Sequence, residues 1–486
     1  MNNPFGEHLN SNKMMVGLSY DDVLLIPKRS RIESRSAVST DTRITKDIVL
    51  HIPILSANMD TVTEAEMAIA MAREGGLGVI HRFMPIEQET ANVKRVKRAE
   101  AYVIEKPYSI RKNETVSKAR DTMYRNGVGS LLVVDSGNKL LGILSDRDIR
   151  FAKDEGSAIS KYMTPRGRMI VGAPGIGMND ALKVLDDNRL EKLPIVDGNN
   201  VVRGLITSKD IYRRTRSDKT AKDKKGRLYV GASIGIRGDY IERAIALAEA
   251  EADLLILDVA HGHTESVIAA VKKVKKELPR VPLVAGNVAT ADGVRDLASA
   301  GADIIKVGIG PGAACITRRV TGAGMPQLTA VMECHSAAVE SGVTIIADGG
   351  IRQSGDITKA LAAGAETVMI GSLLAGTDES PGYFVSRNGV KYKAYRGMAS
   401  LSANISRKRL DKGVIDPQEV YDIVPEGVES AVPYRGRLSE VLAQLVGGLR
   451  SGMSYSGAAD LEELRKNATF VRLTNGAARE SYEKLG

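Results

Sequence analysis

The sequence predicts an α/β fold, a parallel (β/α)8 barrel interrupted once by an inserted module. Three observations predict it. Eight short apolar runs each end in small or polar residues, helix-length amphipathic stretches separate most of them, and residues 101–215 break the rhythm with an internal repeat. Runs of four to eight residues rich in Val, Ile and Leu are how strands buried on both faces read. A doubly wound sheet is the rival architecture, but no G-x-G-x-x-G opens a helix after any of these runs.

The eight runs, in order, are IPILSANM (52–59), GLGVIHR (76–82), YVGASIGI (229–236), DLLILDVA (253–260), PLVAGNVA (282–289), DIIKVGIG (303–310), VTIIADGG (343–350) and TVMIGSLL (367–374). Between them, IERAIALAEAEA (241–252) and ITKALAAGA (357–365) place Ala, Leu and Ile on one face and charges on the other, as a helix covering a sheet requires. Eight strand–helix units make a barrel of roughly 250 residues. The expected domains are residues 1–100 as the first part of the barrel, 101–215 as the insertion, and 216–486 as the second part.

Within the insertion, LLVVDSGNKLLGILSDRDI (131–149) aligns with LPIVDGNNVVRGLITSKDI (193–211). Both read strand, turn, strand, then a [ST]-x-x-D step into a helix, Ser145 to Asp148 and Thr207 to Asp210. Two copies of one small unit can bury a shared face that neither could bury alone. The pair resembles tandem CBS domains, a Bateman module. That resemblance implies that Ser145, Asp148, Thr207 and Asp210 hold the ribose and phosphates of a regulatory nucleotide, ATP or GTP. A pair that only spaces or joins subunits is the plainer alternative.

Composition narrows the function. The 486 residues carry a net charge of +9, two cysteines and no Trp, and aromatics make up only 4%. Scarce aromatics argue against a stacking platform for single-stranded nucleic acid. The densest basic stretch, YRRTRSDKTAKDKKGRL (212–228), is interleaved with Asp218 and Asp223 and reads as a solvated linker, with a nucleic-acid patch as the weaker alternative. Affinity for anionic small molecules also accounts for a basic balance. No Cys/His cluster has zinc spacing, and two cysteines do not make a disulfide scaffold, so a reducing cytoplasm is expected. The polar N-terminus MNNPFGEHLNSNK has no signal core, and no run is long enough for a membrane span.

In a barrel, chemistry belongs at the C-terminal ends of the strands. Those ends carry Ser56, Asn58 and Asp60; His81 and Arg82; Asp258, His261 and His263; Asn287; Asp348 with Gly349 and Gly350; and Gly371 with Ser372. The glycines of DGGI and IGSL let backbone N–H groups approach a phosphate, and Asp348 beside them could take two ribose hydroxyls. A nucleoside monophosphate is therefore the expected ligand; tight turns alone are the alternative. The sixth run continues into GIGPGAACITRR (308–319), which places Cys315 among glycines, with Thr317 two positions on and Arg318 and Arg319 behind it. Backbone N–H groups and cations lower a thiol's pKa, so Cys315 reads as a nucleophile near the phosphate corner rather than a packed thiol. Cys334, in the amphipathic LTAVMECHSAAVE, reads as packing.

GLSYDDVLLIP, SANMDTVTE, GPGAACITR, IADGGI, YRGMAS, VPEGVE and LRSGMSYSGA together resemble the IMP dehydrogenase/GMP reductase family, from about Gly17 to the C-terminus. The resemblance implies a TIM barrel with the CBS pair inserted after the second unit, assembled as a homotetramer that CBS pairs can join into an octamer. It implies that Cys315 attacks purine C2 while hydride passes between C2 and a nicotinamide, and that Thr317 and Glu426 handle protons. By the same resemblance Ser56, Met59, Asp348, Gly350, Gly371, Ser372 and Tyr395 match substrate contacts. Gly397 and Met398 match contacts to the base, and Asp258, Asn287, Gly308 and Gly310 match residues around the cofactor. In dehydrogenases, carbonyls at the places of Gly310, Gly312 and Cys315 bind potassium.

The segment RGMASLSANISRKRLDKGVIDPQEVYDIVPEGVE (396–429) separates the two activities. In dehydrogenases this flap holds an Arg-Tyr pair whose Arg activates water. Here Arg407 and Arg409 are present, but no Tyr follows either. General-base assistance is worth about 10²–10⁴-fold, so hydrolysis to XMP should be slow without it. A reductase needs no hydrolysis. RGMA, SANIS, CITR and SGMSYSGA also look closest to CBS-containing GMP reductases, which convert GMP to IMP and ammonia with NADPH. YRGM and the insertion itself are common in dehydrogenases, which oxidise IMP with NAD, so that reading stays open. A nucleotide sensor on a dead barrel is a third reading, opposed by the intact Cys315, Thr317 and Glu426. One departure touches affinity: the family loop usually has Ser two residues before the Cys, and here it is Ala313.

Overall fold

The structure is a computed structural model that describes residues 14–99, 103–208, 219–412, 420 and 423–482. The chain divides into two compact units: Met1–Lys97 with Lys219–Asp223 and Leu228–Gly486, and Arg98–Asp218 with Lys224–Arg227.

The first unit is the barrel. Its strands are β1 (Ile54–Ser56), β2 (Leu77–Ile80), β3 (Val230–Ile234), β4 (Leu254–Asp258), β5 (Leu283–Val288), β6 (Ile304–Val307), β7 (Thr344–Asp348) and β8 (Thr367–Ile370). They pair in parallel in chain order and close, β8 onto β1 and β2 onto β3. All eight apolar runs became barrel strands. Side chains alternate across each strand, so one residue in two fills the lumen. Leu55, Leu77, Val79, Leu254, Ile256, Val284, Ile304, Ile346 and Met369 pack there as one cluster, with Ile44, Ile48, Leu50 and Tyr229 packed into the same cluster.

The outer helices include α1 (Ala65–Arg73), α2 (Ile86–Arg98), α3 (Tyr240–Glu249), α4 (Glu265–Glu277), α5 (Ala291–Ser299), α6 (Gln327–Ser341) and α7 (Ser354–Ala362). Thr264 and Thr290 cap α4 and α5 by accepting from Val267 N and Gly293 N. Cys334 is buried on α6, and burial pushes its thiol up to about 12, which suits packing and not reaction.

Where the chain leaves and rejoins the barrel, buried Lys97 donates to Asp253 Oδ2 (2.7 Å), Asp223 Oδ2 (3.0 Å) and the Leu228 carbonyl (3.1 Å). Burial raises the Asp253 carboxyl from 3.8 to about 6, with Lys97 opposing. A raised folded-state pKa means a contribution to stability that is full below pH 3.8 and lost as pH rises through about 6. Asp253→Asn lacks this contribution. Its apparent Tm, measured against the wild type, is expected to gain as pH rises from 4 to 7; a difference constant with pH would contradict this account of Asp253.

The second unit holds the two repeat copies. The first contains a helix, Val116–Asn126, then strands Ser130–Val134 and Leu140–Ser145; the second contains Met178–Asp187, Lys192–Val196 and Val202–Thr207. Their turns match bond for bond. Asp135 Oδ1 accepts from Gly137 N and Lys139 N, and Asp197 Oδ1 accepts from Asn199 N and Val201 N. Asn138 and Asn200 both adopt left-handed backbone, φ 60° and 61°, which Asn tolerates better than most residues. Each then donates its amide to the other copy, Asn138 to the Val202 carbonyl (3.3 Å) and Asn200 to the Leu140 carbonyl (2.9 Å). Leu132, Val134 and Leu140 bury one face against Val196, Val202 and Leu205. A symmetric pair of turns thus locks two half-cores into one.

Candidate active site

A cavity of about 550 Å³ opens at the C-terminal ends of the barrel strands. That volume suits a small-molecule ligand. Met59, Asp258, Asn287, Gly308, Gly310, Gly312, Cys315, Thr317, Asp348, Gly350, Gly371, Ser372, Tyr395, Gly397, Met398 and Glu426 all line it. Of the strand-end residues named from the sequence, Asn58, Arg82, Asp258, Asn287, Asp348, Gly349, Gly350, Gly371 and Ser372 line the cavity, whereas Ser56, Asp60, His81, His261 and His263 do not.

Ser56 is the correction. It is 0% exposed and does not line the cavity; its Oγ accepts from Thr63 (2.8 Å). The reason is strand parity. Leu55 and Ala57 belong to the lumen cluster, so Ser56 between them points to the opposite face.

The Cys315 loop follows β6. Gly308 begins it at φ 144°, and a Cβ there would stand 2.2 Å from the Asp348 carbonyl, so the loop can turn this close to β7 only with glycine. The Cys315 N–H donates to the Gly312 carbonyl at 3.0 Å. Two bonds stitch the loop to the far end of the flap: Ile316 N to the Glu426 carbonyl (2.8 Å) and Val428 N to the Ala314 carbonyl (2.9 Å). This fixes a linear relay. The half-buried Cys315 thiol donates to Thr317 Oγ1 at 3.1 Å, and the Thr317 hydroxyl donates to Glu426 Oε2 at 2.8 Å. A proton leaving sulfur has a hydroxyl and then a carboxylate in line to receive it.

The near end of the flap is anchored to the loop after β1. Arg396 Nε donates to Asp60 Oδ2 (2.9 Å) and its Nη1 to Ser402 Oγ (2.9 Å). The Asp60 N–H meets Met398 Sδ at 3.5 Å. This places Gly397 and Met398 on the cavity wall, and helix Leu401–Lys412 adds Asn404 and Arg407. Tyr395 is buried with its hydroxyl at Met59 Sδ (3.8 Å); burial, then the Asp348 charge, raises its pKa, so the phenol stays a hydrogen-bond donor.

Below these groups lies a residue that sequence reasoning missed. Lys306, on β6, is 2% exposed and sits between two carboxylates, 2.8 Å from Asp258 Oδ1 and 2.6 Å from Asp348 Oδ2. Asn58 donates to Asp258 Oδ2 (2.8 Å), and Asn287 donates to Asp348 Oδ2 (2.9 Å) and to the Gly308 carbonyl (2.8 Å). Burial by itself would raise the Asp258 carboxyl, but Lys306 and Asn58 outweigh it and hold it below the usual carboxylate range. Gln327 on α6 was also missed; its amide donates to the Val307 carbonyl (2.9 Å) and the Asp348 carbonyl (3.2 Å), tying β6 to β7.

In the second unit, Ser145 and Asp148 are bonded to each other. Asp148 Oδ2 accepts from Ser145 N and from Ser145 Oγ, both at 2.7 Å, which makes a helix cap. Thr207 ends its strand, and Asp210 lies outside the described residues. Among the described residues no helix is long and apolar enough to cross a membrane.

A closed parallel barrel with a thiol, a hydroxyl and a carboxylate in relay at its C-terminal mouth has the layout of an enzyme active site. Residues 17–483 match the family model described as the IMP dehydrogenase/GMP reductase domain, and the chain belongs to that family of oxidoreductases, which use NAD(P)(H). An inosine-5'-monophosphate dehydrogenase of Nitrosopumilus maritimus is 49% identical over 96% of this chain and 97% of its own length. A GMP reductase of Leishmania donovani is 46% identical over 96% of each chain. Among solved structures, a cysteine-to-alanine variant of Trypanosoma brucei GMP reductase in complex with guanosine 5'-monophosphate superposes with a TM-score of 0.88 at 44% identity, covering 96% of this chain and 98% of that one. The same enzyme in complex with guanosine 5'-triphosphate gives 0.79 at 41% identity, covering 95% and 99%.

Proposed function

We propose that this protein is a GMP reductase, which converts GMP to IMP and ammonia at the expense of NADPH. The observation that carries the reading is the flap: Arg407 is followed by Lys408 and Arg409 by Leu410, so the Arg-Tyr pair that would activate water is missing. The relay of Cys315, Thr317 and Glu426 is sufficient for chemistry that needs no water. IMP dehydrogenase is the second reading, favoured by relatives of that name at equal or higher identity and by Arg407 on the cavity wall.

On the reductase reading, Asp348, Gly350, Gly371, Ser372 and Tyr395 hold the ribose and monophosphate, and Gly397 and Met398 hold the base. Met59 and Tyr395 close one wall. The residues around Asp258 fit a nicotinamide: Asn287 lines the cavity and its buried Oδ1 has no partner among the described residues, which suits the N–H of a carboxamide. Asn287, Asp258, Gly308 and Gly310 would hold that group, and the dinucleotide would supply hydride to purine C2. The protein's own residues do the rest. Cys315 loses its proton through Thr317 to Glu426 and its sulfur bonds to C2. Glu426, now protonated, returns a proton through Thr317 to the departing amine, which leaves as ammonia. When C2 has been reduced, the C–S bond breaks and the electron pair returns to sulfur.

Ser145, Asp148, Thr207 and Asp210 are the proposed contacts for a regulatory ATP or GTP in the second unit. The Asp148 oxygen that accepts no bond from the Ser145 cap remains for a ribose hydroxyl. Assembly into tetramers, and octamers through the second unit, belongs to the same proposal.

The assay is direct. Loss of NADPH absorbance with GMP, with one IMP and one ammonia formed per NADPH consumed, is the expected result. GMP-independent NADPH loss, or none, would remove the reductase reading.

A further inference from the structure

Lys306 is placed as no ordinary barrel residue would be. It takes the lumen-facing parity of β6, shared with Ile304. Its stem packs on Gly286 of β5, where a Cβ would stand 2.7 Å from the Lys306 Cβ, so the side chain has one path to follow. Its ammonium reaches two carboxylates that come from different strands, Asp258 on β4 and Asp348 on β7. The ammonium is buried and both carboxylates outweigh burial, so Lys306 stays protonated and is no proton donor to substrate. Its role is geometric and electrostatic.

Each carboxylate also has a second fixed donor, Asn58 for Asp258 and Asn287 for Asp348. No protein donor among the described residues reaches Asp348 Oδ1, which leaves that oxygen for a ligand hydroxyl. Without the cation, two carboxylates would share a buried site. Such a pair lowers its energy by taking up a proton or by rotating apart. Either change spoils a hydrogen-bond acceptor.

We propose that Lys306 is a positioning residue that holds Asp348 for the nucleotide ribose and Asp258 for the dinucleotide, so that one buried charge sets both halves of the site. The inference rests on the ligand assignments made above for Asp348 and Asp258.

The test uses the full-length protein and GMP binding by calorimetry, with no dinucleotide present, from pH 6 to 9. Lys306→Met is expected to weaken GMP binding roughly ten- to a hundredfold, the range of a lost charged hydrogen bond. It is also expected to make that binding strengthen as pH rises, because a carboxylate that takes up a proton at low pH becomes an acceptor again only when it ionises. The dinucleotide KM rises in the same variant, and Lys306→Arg, which keeps the charge, recovers most of both. A purely structural role would lower Tm without creating a pH dependence. If Lys306→Met does not fold, the double variant Lys306→Met/Asp258→Asn keeps the lumen's charge balance, and weakened GMP binding is expected there too. Wild-type, pH-independent GMP binding in whichever of these variants folds overturns the proposal. Asp348→Asn separates the two failures. If it binds GMP like the wild type, the ribose assignment is what fails; if it loses GMP while Lys306→Met does not, the positioning role is what fails.

Discussion

Cys315→Ala is expected to abolish turnover, by at least about 10⁴-fold, while leaving nucleotide binding within a few fold of the wild type. The thiol is the only nucleophile in the relay, and Thr317 and Glu426 have nothing to deprotonate once it is gone. Ala removes a single sulfur from a half-buried position, and the backbone bonds that shape the loop, Cys315 N to Gly312 and Ile316 N to Glu426, do not involve it. The proposed ribose and phosphate contacts, Asp348, Gly350, Gly371 and Ser372, lie at the ends of other strands. Single-turnover assays with GMP titration by calorimetry measure both quantities. Residual activity within a hundredfold of wild type would contradict covalent catalysis, and lost GMP binding would assign Cys315 a structural part.

Glu426→Gln is expected to cost about 10²–10⁴ in kcat with little change in GMP affinity or Tm. The amide oxygen can still accept the Thr317 hydroxyl, and the Glu426 main chain still holds Ile316 N and Ala399 O. What is lost is a group able to take up and return a proton. The effect should exceed that of Thr317→Val at the same site only if the carboxylate is the terminal acceptor. Equal kcat in Glu426→Gln and wild type would remove Glu426 from the relay.

The barrel was legible because strands buried on both faces leave continuous apolar runs, and eight of them stood out on either side of the insertion. The site was legible at strand ends for the same reason, since an apolar run that turns polar marks where the chain reaches the mouth. Other features left weaker marks. Ser56 was polar and near an end, but side-chain parity decides which face it takes, and parity follows from the lumen cluster. Lys306 interrupts DIIKVGIG with a charge, a signal that was available: a lysine at lumen parity needs buried partners. Its partners, 48 residues before it and 42 after it in sequence, left no local pattern. The Thr317–Glu426 contact spans 109 residues and was reached only through the family motif VPEGVE. The potassium site expected at Gly310, Gly312 and Cys315 turns on carbonyl directions, which side chains do not encode.

The choice between reductase and dehydrogenase turns on a flap whose Arg residues lack a neighbouring Tyr. The measurement that bears on it most directly is a comparison in one enzyme preparation: GMP with NADPH against IMP with NAD, following NADPH loss in the first and XMP in the second. The reductase reading predicts steady NADPH oxidation with ammonia release, and XMP formation slower by about 10²-fold or more for want of a base. XMP produced at a rate comparable to, or above, that of GMP reduction would contradict it.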